Sequence, residues 1–208
     1  NNTLSNTAQR YLGVNFNRVG NSIERVSFGT RINKASDDIA GLAISEALRS
    51  DIRALRQGAR NLNDGVSLLN VVEGGLNEQA GAVIRIKELA TQGASGTIGT
   101  FERQTLQLEV STLVAEIDRI AATTEFNGKT LLDGTLSKSV QVSRQLSIQI
   151  GINGQDASRI NLNTELDQAA SNSSKLGLRN LSITSQEGAL SAITQSDEAL
   201  KALNDSRG

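Results

Sequence analysis

Apolar residues fall into heptad-like stripes over most of this chain. Leu12, Phe16, Val19, Ile23 and Val26 step by 4, 3, 4 and 3, which is a helical seam. Gly29 interrupts it, and Thr30 to Lys34 carries no stripe. Ser36-Asp37-Asp38 has the form of a helix start, with acidic groups placed for the helix dipole. From Asp38 to about Ala90 no Pro intervenes. Leu48, Ile52, Leu55, Ala59, Leu62, Val66 and Leu69 keep the same alternation, and Leu76, Ala80 and Val83 resume it after Glu73. A helix of about 53 residues would run ~80 Å at 1.5 Å per residue. Gly41, Gly58, Gly65, Gly74, Gly75 and Gly81 lie inside it, at ~1 kcal/mol each relative to Ala. Two readings follow: a helix broken near Asn63-Asp64-Gly65 or Glu73-Gly74-Gly75, or a continuous one whose small residues admit close neighbours.

Gln92 to Thr97 reads as a loop, and Leu106, Val110, Leu113, Ile117 and Ile120 place a second helix over about Thr100 to Ala122, antiparallel to the first. Phe126-Asn127-Gly128 and Leu132-Asp133-Gly134 mark turns. The period then changes. Leu146, Ile148 and Ile150 alternate with polar residues, as do Arg159 to Leu162, predicting a β-hairpin closed by a tight Asn153-Gly154 turn. A third helix is predicted from about Ser185, with Ala189, Ile193, Leu200 and Leu203 on one side and Gly208 as a candidate cap. The fold class is mainly α: an elongated antiparallel helical bundle or coiled-coil rod with a small β-hairpin subregion near 140–165. Residues 1–33 form an N-terminal amphipathic segment and 34–208 the helical domain.

Composition narrows the chemistry. The 208 residues contain no Cys, His, Pro, Met or Trp, and only five aromatics: Tyr11, Phe16, Phe28, Phe101 and Phe126. Thiolate sites, disulfides and the usual general base are therefore unavailable. A net charge of -1 removes the electrostatic case for nucleic acid or an anionic membrane as the main partner. No apolar run approaches a membrane span. Glu73 with Glu78, or Asp37 with Asp38, are candidate carboxylate pairs that read better as helix-start and surface charge, since no nucleophile, base and orienting group accompany them. No enzyme, cofactor or metal function is expected; the chain reads as an interaction protein.

Several strings, in order, resemble one family, the bacterial flagellins. These are Ile23-Glu24-Arg25-Val26-Ser27-Phe28-Gly29-Thr30-Arg31-Ile32-Asn33, Asp37-Asp38-Ile39-Ala40-Gly41, Arg60-Asn61-Leu62-Asn63-Asp64-Gly65, Glu73-Gly74-Gly75-Leu76-Asn77-Glu78, Arg85-Ile86-Lys87-Glu88-Leu89-Ala90, and Ser185-Gln186-Glu187-Gly188-Ala189. The resemblance covers essentially the whole chain. The family's long variable insertion has no room here, and its terminal C-terminal helix does not follow Asp205 to Gly208. The resemblance implies a secreted, extracellular filament subunit, passed through the flagellar type III export machinery and assembled under a cap with other flagellin subunits. A hook–filament junction protein and a non-flagellar coiled-coil scaffold are the alternatives. In this reading Leu12, Phe16, Val19, Ile23 and Val26 are a self-assembly seam, either loose in the monomer or docked within its own subunit. The resemblance further implies recognition by the host's flagellin-sensing Toll-like receptor at Arg85, Leu89 and Glu109. Leu89 is then an exposed anchor flanked by charge, unless it completes the core.

Overall fold

The computed structural model describes residues 3–207. Five α-helices and two small antiparallel hairpins follow one another: α1 (Thr3–Phe28), α2 (Ile39–Ala94), α3 (Thr100–Thr123), β1 (Glu125–Phe126), β2 (Lys129–Thr130), β3 (Ser147–Gln149), β4 (Arg159–Asn161), α4 (Leu162–Leu166) and α5 (Gln186–Asp205). The chain divides into two compact units, residues 1–56 and 57–208, and the division falls inside α2.

In the first unit α1 ends where Gly29 takes a φ of 67°, a left-handed conformation that favours Gly. The Asp37 carboxylate gathers the loop that follows. It accepts hydrogen bonds from the Asn33 and Lys34 N–H groups, each at 3.4 Å, and an ion pair from Arg25 at 3.3 Å. Asp38 caps α2: its Oδ1 accepts from the Gly41 N–H at 2.9 Å. No residue of α1 is buried. Among the described residues, every buried apolar side chain lies in the second unit.

There α3 and α5 run antiparallel to α2. Arg103 donates to the Gly93 carbonyl, Arg85 pairs with Glu109, and the buried Gln79 donates to the Ile117 carbonyl. On the other side Gly93 meets Ala189, Lys87 pairs with Asp197 and Arg207 with Glu73. The core is aliphatic: Leu76, Val83, Ile86 and Leu89 of α2, Val110 and Ile117 of α3, Ala192 and Leu203 of α5, with Leu131, Leu132, Leu178 and Ile183 from the connecting segments. Each fully buried Leu, Ile or Val contributes ~1.5–3 kcal/mol.

Four sequence expectations change. The Leu48-to-Leu69 seam is not the buried face; Leu48, Ile52, Leu55, Leu62 and Val66 are all exposed, and burial follows that stripe only from Leu76 onward. In the second unit the buried positions before Leu76 are Gly58, Gly65, Leu68, Val72 and Gly75. Glycines set this face because the β3–β4 hairpin and the segment after β2, rather than another helix, lie against it. A Cβ at Gly58 would overlap the Ile150 carbonyl, one at Gly65 the Ile148 side chain, and one at Gly75 would sit 2.8 Å from Leu132 Cδ1. The helix is therefore unbroken, although Gly74 and Gly81 face open space.

Second, α2 continues through Gly93 to Ala94, because the Arg103 guanidinium accepts the role of cap, donating to the Gly93 and Ser95 carbonyls at 2.8 and 2.9 Å. Third, the hairpin of β3 and β4 pairs Gln149 with Arg159, so residues 150–158 form a wide loop instead of a tight Asn153-Gly154 turn. Its base is held by Ile150 and Gly151 N–H groups donating to the Ser158 carbonyl. Fourth, Asn127-Gly128 closes a hairpin of its own. Both residues have positive φ, 51° and 74°, as a two-residue primed turn requires. The Ser185 cap forms as expected, its Oγ accepting from the Gly188 N–H at 3.1 Å. Gly208 lies outside the described residues.

Candidate functional site

The candidate sites are surfaces. The 26-residue α1 keeps its apolar stripe outward: Leu12 is 56% exposed, Phe16 73%, Val19 54%, Ile23 61% and Val26 82%. An unpacked helix of this length is marginal in water.

Arg85, Leu89 and Glu109 separate into two roles. Arg85 Nη2 and Glu109 Oε1 lie 2.8 Å apart on the exposed faces of α2 and α3, and Glu88 adds a second carboxylate at 3.0 Å. The hydrogen bond from Arg85 to Glu109, then that to Glu88, raises the Arg85 pKa above its ordinary value. Leu89 is 1% exposed and belongs to the core. The resemblance implied an exposed anchor; instead the Leu89 side chain is enclosed in the core, while Arg85, one turn before it, stays exposed. It supports the surface from beneath.

Sequence reasoning missed a set of polar clamps that hold the long connecting segments to the helices: Gln79 and Asn163 are buried, Gln107 is half-buried and Asp118 is exposed. Gln107 accepts from the Ile183 N–H at 2.7 Å and donates to the Leu181 carbonyl at 3.2 Å, standing in for a neighbouring strand. Asp118 accepts from both the N–H and the hydroxyl of Ser173 at 2.8 Å. The buried Asn163 side chain satisfies three backbone groups: it accepts from Leu146 and donates to Thr135 and Ser137. Gln79 donates to Ile117 and Ser171. Such groups break no helical period, so hydropathy cannot flag them; their partners are tens of residues away.

Among the described residues no group of three or more Asp or Glu could hold a metal ion, and no helix is long and apolar enough to cross a membrane. Asp133 is drawn into a local polar turn. Burial pushes its pKa up, but hydrogen bonds from the Thr130 and Thr135 hydroxyls and the Thr135 N–H outweigh this and leave it lowered.

Among the described residues the main features are long amphipathic helices and an exposed apolar stripe on α1. Comparison with known proteins gives the family. The bacterial flagellin N-terminal helical region matches residues 1–137. The chain is 38% identical over 208 residues to the flagellar filament 30.7 kDa core protein of Treponema maltophilum, covering 99% of this chain and 73% of that one. It is 40% identical over 209 residues to flagellin FlaB1 of Treponema pallidum, covering 96% and 71%. The crystal structure of Bacillus cereus flagellin is similar at a TM-score of 0.55 and 27% identity, over 71% of this chain and 78% of that one. The chain belongs to the flagellin family, a family of structural proteins.

Proposed function

We propose that this chain is a subunit of the bacterial flagellar filament, exported by the flagellar type III machinery, added beneath the filament cap and polymerised outside the cell into a propeller. The observation that carries the reading is the bare α1: 26 residues of amphipathic helix with no buried position. Burying Leu12, Phe16, Val19, Ile23 and Val26 between copies would recover apolar area that the monomer leaves in water. The relatives named as filament core protein and flagellin support the same assignment. Hydrogen exchange tests it: α1 amides should exchange rapidly in dilute monomer and become protected in filaments seen by electron microscopy. Strong protection of Leu12 to Val26 in dilute monomer, with no polymer at any concentration, would refute it.

The host's flagellin-sensing Toll-like receptor is proposed as a further partner, at the surface carrying Arg85 and Glu109. Support comes from their exposure and pairing across α2 and α3, with buried Leu89 fixing the helix face below. Replacing Arg85 or Glu109 by Ala should weaken receptor signalling while the circular dichroism spectrum stays unchanged. Unaltered signalling by both variants would remove the proposal.

A further inference from the structure

Formal charge is divided unevenly between the two units. Residues 1–56 hold eight Lys and Arg against five Asp and Glu, a net of +3, while residues 57–208 hold thirteen against seventeen, a net of -4. Within the first unit the acids are largely engaged. Glu24 pairs with Lys34, Asp37 with Arg25 and Glu46 with Arg49, and Asp38 caps α2. Asp51 alone remains, on the opposite side of α2 from Arg49, Arg53 and Arg56. Those three arginines step by four and three residues, so they share one exposed helix face, bordered by the exposed Leu48, Ile52 and Leu55. Neither Arg53 nor Arg56 has an ion pair among the described residues.

A complementary stripe lies on α5. Glu187, Glu198 and Asp205 recur after eleven and seven residues, about three and two helical turns, and so share a face. All three are exposed and, among the described residues, without an ion pair; Leu190, 55% exposed, borders them and Lys201 is the cation beside them. Asp197, one residue away, is already held by Lys87 at 2.5 Å. Arg49 to Arg56 and Glu198 to Asp205 each span seven residues, ~10.5 Å along a helix, so the two repeats match.

Resting on the filament reading above, we propose that the arginine face of α2 in the first unit of one copy docks against the acidic face of α5 in the second unit of a neighbouring copy. The contact is heterologous: each copy presents one surface of each kind, so pairing leaves a free surface at both ends and propagates. A two-fold dimer through either stripe would set like charge against like, which is disfavoured. Opposite charge steers the incoming subunit, and the bordering leucines and Ile52 supply apolar area once it arrives.

The test is filament elongation by the full-length subunit, followed by light scattering. Arg53→Glu with Arg56→Glu should slow it roughly tenfold, as should Glu198→Lys with Asp205→Lys, and joining all four should return it to within about threefold of the parent. Parent filaments whose growth is untouched by either reversal, or not restored by the combination, overturn the docking and leave the filament reading standing. The absence of native Cys permits a second readout. Arg56→Cys with Glu198→Cys, or with Asp205→Cys for the opposite helix polarity, should give an intermolecular disulfide ladder on oxidation at high protein concentration. A ladder without any parent filament keeps the docking and removes the filament reading. A disulfide closed within one copy, or none in either variant, overturns the docking.

Discussion

Gly58 and Gly81 are the same residue type in the same helix, with opposite consequences. The Cβ of an alanine at 58 would meet the Ile150 carbonyl, a backbone atom that cannot swing away, whereas position 81 has nothing within 4 Å. Gly58→Ala should therefore destabilise by ~1–3 kcal/mol, and Gly81→Ala should stabilise by ~1 kcal/mol through helix preference alone. Urea unfolding of both variants measures the difference; equal shifts of the same sign would contradict the packing described for the β3–β4 hairpin. Leu89 offers a second contrast. Its truncation to Ala should cost ~2–5 kcal/mol, since the side chain is fully enclosed. Loss of the neighbouring Arg85 side chain, half exposed and engaged only in surface ion pairs, should leave the unfolding midpoint nearly where it was.

At the scale of elements, α1 is held by its own hydrogen bonds and by the polar loop that follows, without a core beneath it. Replacing Phe16 and Val19 together by Ser should leave the unfolding of residues 57–208 unchanged while slowing polymerisation at least ~tenfold, read by sedimentation and electron microscopy. Polymer formed at the parental rate would dissociate the seam from assembly. The long segment from Leu131 to Ile183 behaves differently, because it is tied down by Gln79, Gln107, Asp118 and Asn163. Asn163→Ala should be more damaging than its size suggests, by ~2–4 kcal/mol. Three backbone groups lose their partner at once in a buried setting.

Across the molecule, pH acts through three carboxyls. The Asp37 pKa is lowered, first by the Asn33 N–H hydrogen bond, and the Glu116 pKa by the hydrogen bond from Arg119; Asp133 is also lowered on balance. A carboxyl with a folded pKa below its ordinary value of 3.8 for Asp or 4.5 for Glu favours the folded state above that value. The contribution disappears as pH falls through the folded value. Thermal stability should thus be level from pH 7 to about 5 and decline below about 4. With no His in the chain, no side chain with an unperturbed pKa near 6.5 titrates between these limits. A pronounced step in melting temperature near pH 6 would contradict this account.

Periodicity, punctuation and composition determined the four long helices, the Gly29 stop, the Asp38 and Ser185 starts and the change to strand period near Leu146, but not the short α4, whose Leu162 was read as strand. Those are local matters: they depend on residues within one or two turns of each other. Tertiary structure alone decided which side of α2 is buried, because a 4–3 stripe records only that a face is apolar and says nothing of what covers it. Leu62 and Val66 satisfied the pattern yet stay exposed, while Gly58 and Gly65, invisible to hydropathy, receive the hairpin. For the same reason Leu89 turned inward and Arg85 outward. The polar clamps from Gln107, Asp118 and Asn163 were equally illegible, since a hydrogen bond between groups tens of residues apart leaves no trace in spacing and exists only once the chain has folded.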